Sequence, residues 1–208
     1  MISSSPSLLV LASGSPRRRE LLQDAGLEFE ILPAELEEVF RAGRSPEENA
    51  GELARLKADW AAARRPECFV LAADTLVAVD GRLLGKPRDR GEARRMLRQL
   101  SGRSHQVITG LACHPPGGPC LSETVASTVT FKPLSEERIE AYLDTGEYRD
   151  KAGAYAIQGA GGDLVQSCEG SFSNVVGLPV EQTLALLRRC GFPEDRLPGA
   201  PPSRSASP

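Results

Sequence analysis

Short apolar runs in this chain alternate with segments whose apolar residues recur every three or four positions. The short runs predict strands at 7–12, 29–32, 69–73, 75–79, 105–113 and 124–131. The segments with helical spacing predict helices at 16–25, from 45 through 61, and at 89–100, 135–144 and 179–190. Such alternation is typical of a layered α/β domain. We expect a mixed sheet in which 105–113 and 124–131 form an antiparallel pair.

Length and composition indicate one folded domain with a short tail. The chain has 208 residues, 40% of them hydrophobic, which is enough to bury one well-packed core. Beyond residue 194 the composition falls to Pro, Ser, Ala and Arg, which bury too little apolar area to become ordered. We therefore predict a domain over 1–194 and a disordered tail over 195–208.

Charge and hydropathy exclude several classes of protein. A net charge of −3 argues against a general binder of nucleic-acid polymers, which normally carries a basic surplus. No run of about 18 apolar residues is present, and Met1–Pro6 lacks the order of a secretory signal. Five scattered cysteines without a C-x-x-C pair argue against a disulfide framework or structural zinc. We expect a cytoplasmic protein that binds neither nucleic-acid polymers nor membranes.

The turn after the first strand carries the clearest local signal for a ligand. Ser13 and Gly14 lead into Ser15, which can cap a helix, and Pro16, which suits the first helical position. Three arginines follow at 17–19. Because a helix start presents free backbone N–H groups and partial positive charge, this turn predicts a phosphate pocket. The alternative is a capped helix whose arginines are only solvated.

Sequence motifs of several other enzyme classes are missing. The chain has no G-x-x-x-x-G-K-[ST] loop, no G-x-G-x-x-G fingerprint, no H-E-x-x-H pair and no G-x-S-x-G turn. What remains is a set of acids and cations suited to a bound polyphosphate. Asp74 is the best acid, because it follows a buried apolar strand and would lie at a sheet edge, where open α/β folds bind ligands.

Asp74 could activate a water molecule or hold Mg²⁺, and Glu38 offers a second carboxylate. The plain alternatives are a turn residue at 74 and a solvated surface acid at 38. Only four of the 25 basic residues are lysines, so Lys57 and Lys86 are candidates for compact charges that neutralise phosphates. Each of them could instead be an ordinary surface lysine.

Several segments, taken in order, resemble the Maf family of nucleoside triphosphate pyrophosphatases. They are LASGSPRR at 11–18, ADT at 73–75, GKP at 85–87, LSG at 100–102 with His105, DKAGAYAIQG at 150–159 and GSFSNVVGLP at 170–179. The resemblance covers about residues 8–191. It implies a single α/β/α domain with a mixed sheet and a deep central cleft between two lobes, a fold shared with ITPase-like proteins. It also implies hydrolysis between the α and β phosphates, dependence on Mg²⁺ or Mn²⁺, and a homodimer.

The resemblance also implies roles for individual residues. Asp74 would accept a proton from the attacking water and, with Glu38, hold the metal. Lys57 and Lys86 would assist catalysis. Substrate binding would fall to the residues that match the family's phosphate and base positions, namely Ser13, Arg17, Arg18, Thr75 and Gln158.

Three of these positions bear on substrate choice. Arg17, Thr75 and Gln158 match the branch that acts on dTTP and UTP. A glutamine amide has one donor and one acceptor group, which suits the uracil or thymine edge. The alternatives are a house-cleaning pyrophosphatase for modified or purine nucleotides, of the 7-methyl-GTP or ITP type, and a non-enzymatic nucleotide-binding regulator of cell division.

Overall fold

A mixed sheet of seven strands with helices on both faces forms the body of the protein. The computed structural model describes residues 8–41 and 43–198. Its strands are β1 (Leu9–Leu11), β2 (Glu30–Ile31), β3 (Phe69–Val79), β4 (Arg82–Leu84), β5 (Ser104–His114), β6 (Leu121–Phe131) and β7 (Val165–Glu169). Its helices are α1 (Pro16–Asp24), α2 (Pro46–Ala62), α3 (Arg90–Leu100), α4 (Glu136–Asp144), α5 (Phe172–Val176) and α6 (Val180–Arg189). Short 3-10 turns lie at Ala152–Ala154, Gly159–Leu164 and Glu194–Arg196.

Local capping rules explain where most helices begin. The side chains that accept a hydrogen bond from the first turn belong to Ser15, Ser45, Asp89, Ser135 and Ser171. At α2 the cap is reciprocal, because Glu48 also bonds back to the Ser45 backbone. These contacts satisfy N–H groups that have no partner inside the helix. The predicted starts of α1 to α4 are confirmed for this reason.

Along one side of β3, the strand pairing changes from parallel to antiparallel. Its first residues pair in parallel with β1, its last residues pair in antiparallel fashion with β4, and its other side pairs with β5 throughout. Between Leu71 and Val77, no described strand covers the side of β3 that faces β1 and β4. The predicted antiparallel pairing of the two long strands is confirmed in β5 and β6.

The placement of Asp74 differs from the expectation. Asp74 does not follow a strand that ends at residue 73, because β3 runs unbroken from Phe69 to Val79. It lies in the middle of β3 opposite Gly110, in the gap between β1 and β4. Because the short strands β1 and β4 do not meet, part of β3 has an unpaired edge inside the sheet, and this edge can face a ligand.

Helices cover both faces of the sheet. On one face, Ala54, Ala58 and Ala61 of α2 pack against small residues of β1, β3 and β5. On the other face lie two apolar clusters, one built with α6 under the parallel part and one built with α3 and α4 under the antiparallel part. These two clusters correspond to two lobes, and the gap in β3 pairing lies between them. The predicted three-layer α/β/α architecture is confirmed.

The chain also contains elements that the apolar pattern does not indicate. β7 adds an outer strand beside β6, and α5 is a five-residue helix just before α6. Past the predicted domain boundary at 194, a 3-10 turn follows and Leu197 is buried with the α6 cluster. Ordered packing thus extends to Leu197, whereas 199–208 lie outside the described residues. Within the described residues, no helix combines the length and apolar character needed to cross a bilayer.

Candidate active site

A cavity of about 570 Å³ opens at the gap in β3 pairing. Its walls come from the β1–α1 turn, the segment before α2, α2 itself, the middle of β3, the turn after β4, the segment 150–158 and the end of α5 with the residue that follows it. All nine residues predicted for the site line this one cavity: Ser13, Arg17, Arg18, Glu38, Lys57, Asp74, Thr75, Lys86 and Gln158. The structure therefore brings the predicted set together, while the role of each residue stays a prediction.

The β1–α1 turn forms one wall and is fixed by its own side chains. Ser15 caps α1 through the Arg18 backbone, and its backbone N–H donates to the Ser13 hydroxyl at 3.3 Å. Arg18 also donates to that hydroxyl at 3.1 Å. The start of α1, with its partial positive charge, lies on the cavity wall.

The two arginines at the start of α1 differ in their surroundings. Arg18 is buried, and its guanidinium donates to the Ser13 hydroxyl, the Gly177 carbonyl at 2.9 Å and the Thr75 hydroxyl at 3.0 Å. Burial lowers its pKa, while the charges of Asp74 and Glu38 act in the opposite direction. Its three nitrogens thus all bond to the protein, so the structure uses Arg18 to join α1, β3 and the loop after α5.

Arg17 faces the cavity with more of its donors unused. Its Nε donates to the Val176 carbonyl at 3.1 Å. Its two terminal nitrogens have no hydrogen bond to any described residue. Partial burial lowers the pKa of Arg17, and nearby Glu20 raises it. Arg17 therefore presents free N–H donors to an anionic ligand.

A chain of alternating charges spans the cavity. The Lys57 ammonium lies 2.5 Å from Asp74 Oδ1 and 2.8 Å from Glu38 Oε1, and the Lys86 ammonium lies 3.1 Å from Glu38 Oε2. Lys57 and Asp74 are 8% and 4% exposed, so their mutual contact compensates for charges withdrawn from water. This arrangement fixes the Asp74 carboxylate in the cavity wall.

Glu38 is held ionised by the two lysines. Partial burial would raise its pKa, but the hydrogen bonds and charges of Lys57 and Lys86 outweigh that effect and lower the pKa to about 2. Glu38 belongs to the irregular segment between β2 and α2. Its ion pairs therefore tie that segment to the cavity wall.

Lys57 can reach Asp74 because α2 lies very close to the sheet. Gly110, the β5 residue opposite Asp74, has no side chain, and a Cβ there would stand 2.1 Å from the Ala50 carbonyl oxygen of α2. The small residues along the buried face of α2 allow the same close approach. The alanine spacing of this helix thus has a direct effect on the site.

Thr75 and Gln158 reach the cavity in different ways. The Thr75 hydroxyl accepts a hydrogen bond from Arg18 and contacts both the Thr109 hydroxyl at 2.9 Å and the Gly177 carbonyl at 3.2 Å. Gln158 is exposed, and its amide has no hydrogen bond to any described residue. Of the two side chains, Gln158 is the one whose polar atoms are unused.

Sequence reasoning missed the contribution of the end of α5 and of Gly177, which follows it. The carbonyls of Val176 and Gly177 hold Arg17, Arg18 and Thr75 in place. α5 is anchored by its buried Asn174, which donates to the Val107 carbonyl and the Ser127 hydroxyl, both at 3.0 Å. Residues 170–179 are one of the segments that resemble the family. The residue types do not show which backbone carbonyls accept hydrogen bonds from the site, so this contribution could not be predicted.

The acidic groups match the donor preference of a hard divalent cation. Mg²⁺ favours carboxylate oxygens and completes its shell with water and substrate phosphates. Asp74 and Glu38 offer such oxygens on either side of Lys57. Among residues 8–41 and 43–198 there is no group of three His, Cys, Asp or Glu side chains placed to ligate a metal by themselves. The site thus fits a cation that binds together with a phosphate ligand.

Comparisons with known proteins find a matching family model, similar curated proteins and similar solved structures. A family model described as "Maf-like protein" matches residues 8–190. The chain is 51% identical to a dTTP/UTP pyrophosphatase of Myxococcus xanthus, over 92% of this chain and 97% of that protein. It is 46% identical to a dTTP/UTP pyrophosphatase of Geotalea uraniireducens, over 89% and 96% of the two chains. Among solved structures, a HAM1 protein from Coxiella burnetii covers 87% of this chain and 98% of its own, with 19% identity and a TM-score of 0.46.

Proposed function

The chain belongs to the Maf family, and from that premise we propose that it is a nucleoside triphosphate pyrophosphatase acting on dTTP and UTP. The products would be the nucleoside monophosphate and pyrophosphate. The observation that carries the proposal is that one cavity brings together Asp74, which lies 2.5 Å from a lysine ammonium, and the start of α1, which can bind phosphate. Relatives named for this activity align with nearly the whole chain, which supports the same assignment.

Asp74 is the proposed proton acceptor. A water oxygen forms a bond to the α phosphorus, the bond from that phosphorus to the bridging oxygen breaks, and pyrophosphate leaves. The proton of the water passes to the Asp74 carboxylate. Lys57 holds that carboxylate in one orientation, which is what a general base requires.

Cations and donors around the cavity would stabilise the charge that develops on the phosphates. Lys57 and Lys86 supply compact positive charges, and Ser13 and the start of α1 supply hydrogen-bond donors. Arg17 adds its free terminal nitrogens. The structure argues for a supporting role of Arg18, whose bonds position Ser13 and Thr75.

A divalent cation, Mg²⁺ or Mn²⁺, is part of the proposal. Asp74 and Glu38 would hold it together with the substrate phosphates. When bound, it would neutralise part of the negative charge of the phosphates. Lys57, which bridges the same two carboxylates, keeps both of them in place for this purpose.

The choice of a pyrimidine base is proposed to depend on Gln158, Thr75 and Arg17. The unused amide of Gln158 can donate to a base oxygen and accept from the ring N–H. Thr75 is held by Arg18 and Gly177, so it offers a rigid surface rather than a mobile hydroxyl.

The homodimer and the cytoplasmic location are further proposals, which the family resemblance and the cysteine content support. Light scattering of the purified chain tests the first of them.

A nucleotide panel with product identification tests this function. In the presence of Mg²⁺ or Mn²⁺, we expect faster pyrophosphate release from dTTP and UTP than from ATP, GTP or ITP. Asp74→Asn should lower the rate by a factor of about 10² or more, because the amide cannot accept the proton. It should still bind dTTP.

The control is Asp24→Asn, which makes the same chemical change at an exposed residue near the end of α1. It should keep the wild-type rate. Orthophosphate as the first product would contradict the assigned bond. A preference for ITP or 7-methyl-GTP would favour the house-cleaning alternative, and binding of dTTP without turnover by the wild type would favour a regulator.

A further inference from the structure

We infer that Glu147, which does not line the cavity, is a positioning residue for base selection. Its carboxylate holds the turn that follows Gln158 and so fixes the backbone from which the Gln158 amide reaches the cavity. The inference rests on the proposed function, because it concerns the residue that is proposed to contact the base. Glu147 itself acts through Gln158 and not on the substrate.

Gln158 stands at the start of a helical turn but does not cap it. It directly precedes the 3-10 turn Gly159–Leu164, and its backbone has the extended conformation of a cap residue. At such a position the residue's own side chain commonly accepts a hydrogen bond from the first N–H groups of the turn. The Gln158 side chain makes no such bond. Its amide is therefore free for a ligand, and the N–H groups behind it need another acceptor.

Glu147 supplies that acceptor from the segment after α4. Its Oε1 accepts a hydrogen bond from the Ala160 N–H at 3.2 Å, and its Oε2 accepts one from the Gly161 N–H at 3.4 Å. Hydrogen bonds to an ionised acceptor are stronger than those between neutral groups. The carboxylate thus takes the place of the missing cap and leaves the Gln158 amide unused.

The turn and the carboxylate are packed closely together. Gly159 has a φ of 73°, and a Cβ at this position would stand 2.7 Å from Glu147 Oε1. A Cβ on Gly161 would stand 1.9 Å from the Ala156 carbonyl oxygen, so the turn also folds back tightly on the residues that lead into Gln158. Two glycines are therefore required for this arrangement.

A second contact holds the chain on the other side of Gln158. The Tyr142 hydroxyl accepts a hydrogen bond from the Ala156 N–H at 3.2 Å, and Tyr142 is a buried residue of α4. Thr145 connects the two contacts, because its hydroxyl donates to the Tyr142 carbonyl at 2.7 Å and accepts from the Glu147 N–H at 3.2 Å. The end of α4 thus holds the backbone both before and after Gln158.

A fixed backbone is needed where one amide recognises a base through two hydrogen bonds. The oxygen and the nitrogen of the amide must meet their partners on the pyrimidine edge at the same time. Asp74 and Lys57 lie on other elements, β3 and α2. Loss of the Glu147 contacts should therefore weaken the discrimination between bases and leave the chemical step intact.

The test compares kcat and KM of Glu147→Ala for dTTP, UTP and ATP in the presence of Mg²⁺. We expect KM for dTTP and UTP to rise about tenfold, the size of effect typical of lost hydrogen bonds to a charged group. The kcat values and KM for ATP should stay near those of the wild type, so the preference for pyrimidine nucleotides falls by the same factor. Glu147→Gln should lose less, because its amide oxygen still accepts one hydrogen bond. It has nearly the same size as glutamate and carries the test where Glu147→Ala fails to fold.

A second variant disturbs the same contact from the side of the turn. In Gly159→Ala the added Cβ displaces the Glu147 carboxylate, so the preference for pyrimidine nucleotides should fall as in Glu147→Ala. Glu28→Ala is the matched control, since it makes the same change at an exposed residue between α1 and β2. It should keep the wild-type preference.

The outcomes separate this inference from the proposed function. A preference that is lost in Gln158→Ala but unchanged in Glu147→Ala would overturn the inference alone. An equal rise in KM for dTTP and ATP would also overturn it, because a purely structural role of Glu147 produces that result. A wild type without any preference for dTTP and UTP would reject the proposed function, and the inference with it.

Discussion

Lys57 stands between two carboxylates, and this position defines the site at the scale of single residues. Its ammonium bonds both Asp74 and Glu38, although the side chain is almost fully withdrawn from solvent. A buried charge is tolerated only with such partners, because desolvation of an isolated ion costs several kcal/mol. The interaction therefore holds the Asp74 carboxylate in one orientation at the cavity wall.

His105 is also a buried titratable group, but its side chain lies beside a neutral hydroxyl and not beside an opposite charge. It is 3% exposed, its Nε2 lies 2.8 Å from the Tyr155 hydroxyl, and its ring packs edge-on against Phe131. Without a charged partner, burial lowers its pKa to about 4. His105 does not line the cavity that holds Asp74, and its contacts are those of a structural residue of the core.

The neutral state of His105 predicts how stability depends on pH. The unfolded state binds a proton below the ordinary pKa of 6.5, whereas the folded state resists protonation until about pH 4. The contribution of His105 to stability is therefore complete above pH 6.5 and is lost as the pH falls to 4, by up to about 3 kcal/mol. Urea denaturation of the wild type and of His105→Gln between pH 7 and 4 measures this loss. A stability difference between the two proteins that is the same at every pH would contradict it.

At the scale of elements, the distance between α2 and the sheet controls the site. The space between Gly110 of β5 and the Ala50 carbonyl of α2 is too small for a methyl group. Lys57 lies two turns further along this helix and reaches across to β3. Any displacement of α2 therefore moves Lys57 and changes its contact with Asp74.

Gly110→Ala should move α2 and impair the site. Because the added Cβ would stand 2.1 Å from a backbone oxygen, we expect a loss of about 1–3 kcal/mol in the free energy of unfolding and a marked fall in kcat. Urea denaturation and the initial rate of pyrophosphate release measure the two effects. Gly51→Ala is the control, since its Cβ would lie 3.4 Å from Thr124 and alanine favours the helix. Equal behaviour of the two variants would show that the helix does not depend on this close contact.

At the scale of the whole molecule, the end of the described chain closes the apolar cluster around α6. Leu197 is 4% exposed and packs in the cluster that contains Leu187 and Phe192. A short 3-10 turn at Glu194–Arg196 directs the chain back onto this cluster. The C-terminal segment thus belongs to the lobe that carries β1 and the start of α1.

Leu197→Ala should destabilise the protein without changing the chemistry of the site. Removal of a buried leucine side chain typically costs about 2–5 kcal/mol, through lost burial and the cavity left behind. Thermal and urea denaturation measure the loss, while KM for dTTP at low temperature should stay near the wild-type value. Leu56→Ala serves for comparison, because Leu56 is 46% exposed and should contribute far less. A loss no larger than that of Leu56→Ala would place Leu197 outside the stabilising core.

Much of the fold and of the candidate site could be predicted from local rules. Caps such as Ser15 and Ser135 begin helices by satisfying nearby N–H groups, and the apolar runs predicted as two long strands pair in antiparallel fashion as β5 and β6. The residues of the cavity could be named because their types and short motifs belong to one family pattern. β7 and α5 could not be predicted, since neither has a strong period of its own and both depend on the elements beside them.

The sequence by itself determined the α/β class, the helix starts and the set of chemical groups available for a phosphate ligand, because these follow from neighbouring residues. Only the tertiary structure decided that Asp74 lies within β3 at a gap between two short strands, and that Lys57 is shared by two acids. It also decided that Arg17 and Arg18 bond to carbonyls 159 positions away in the chain. Contacts of that separation depend on how strands pair and helices pack, which no local pattern contains.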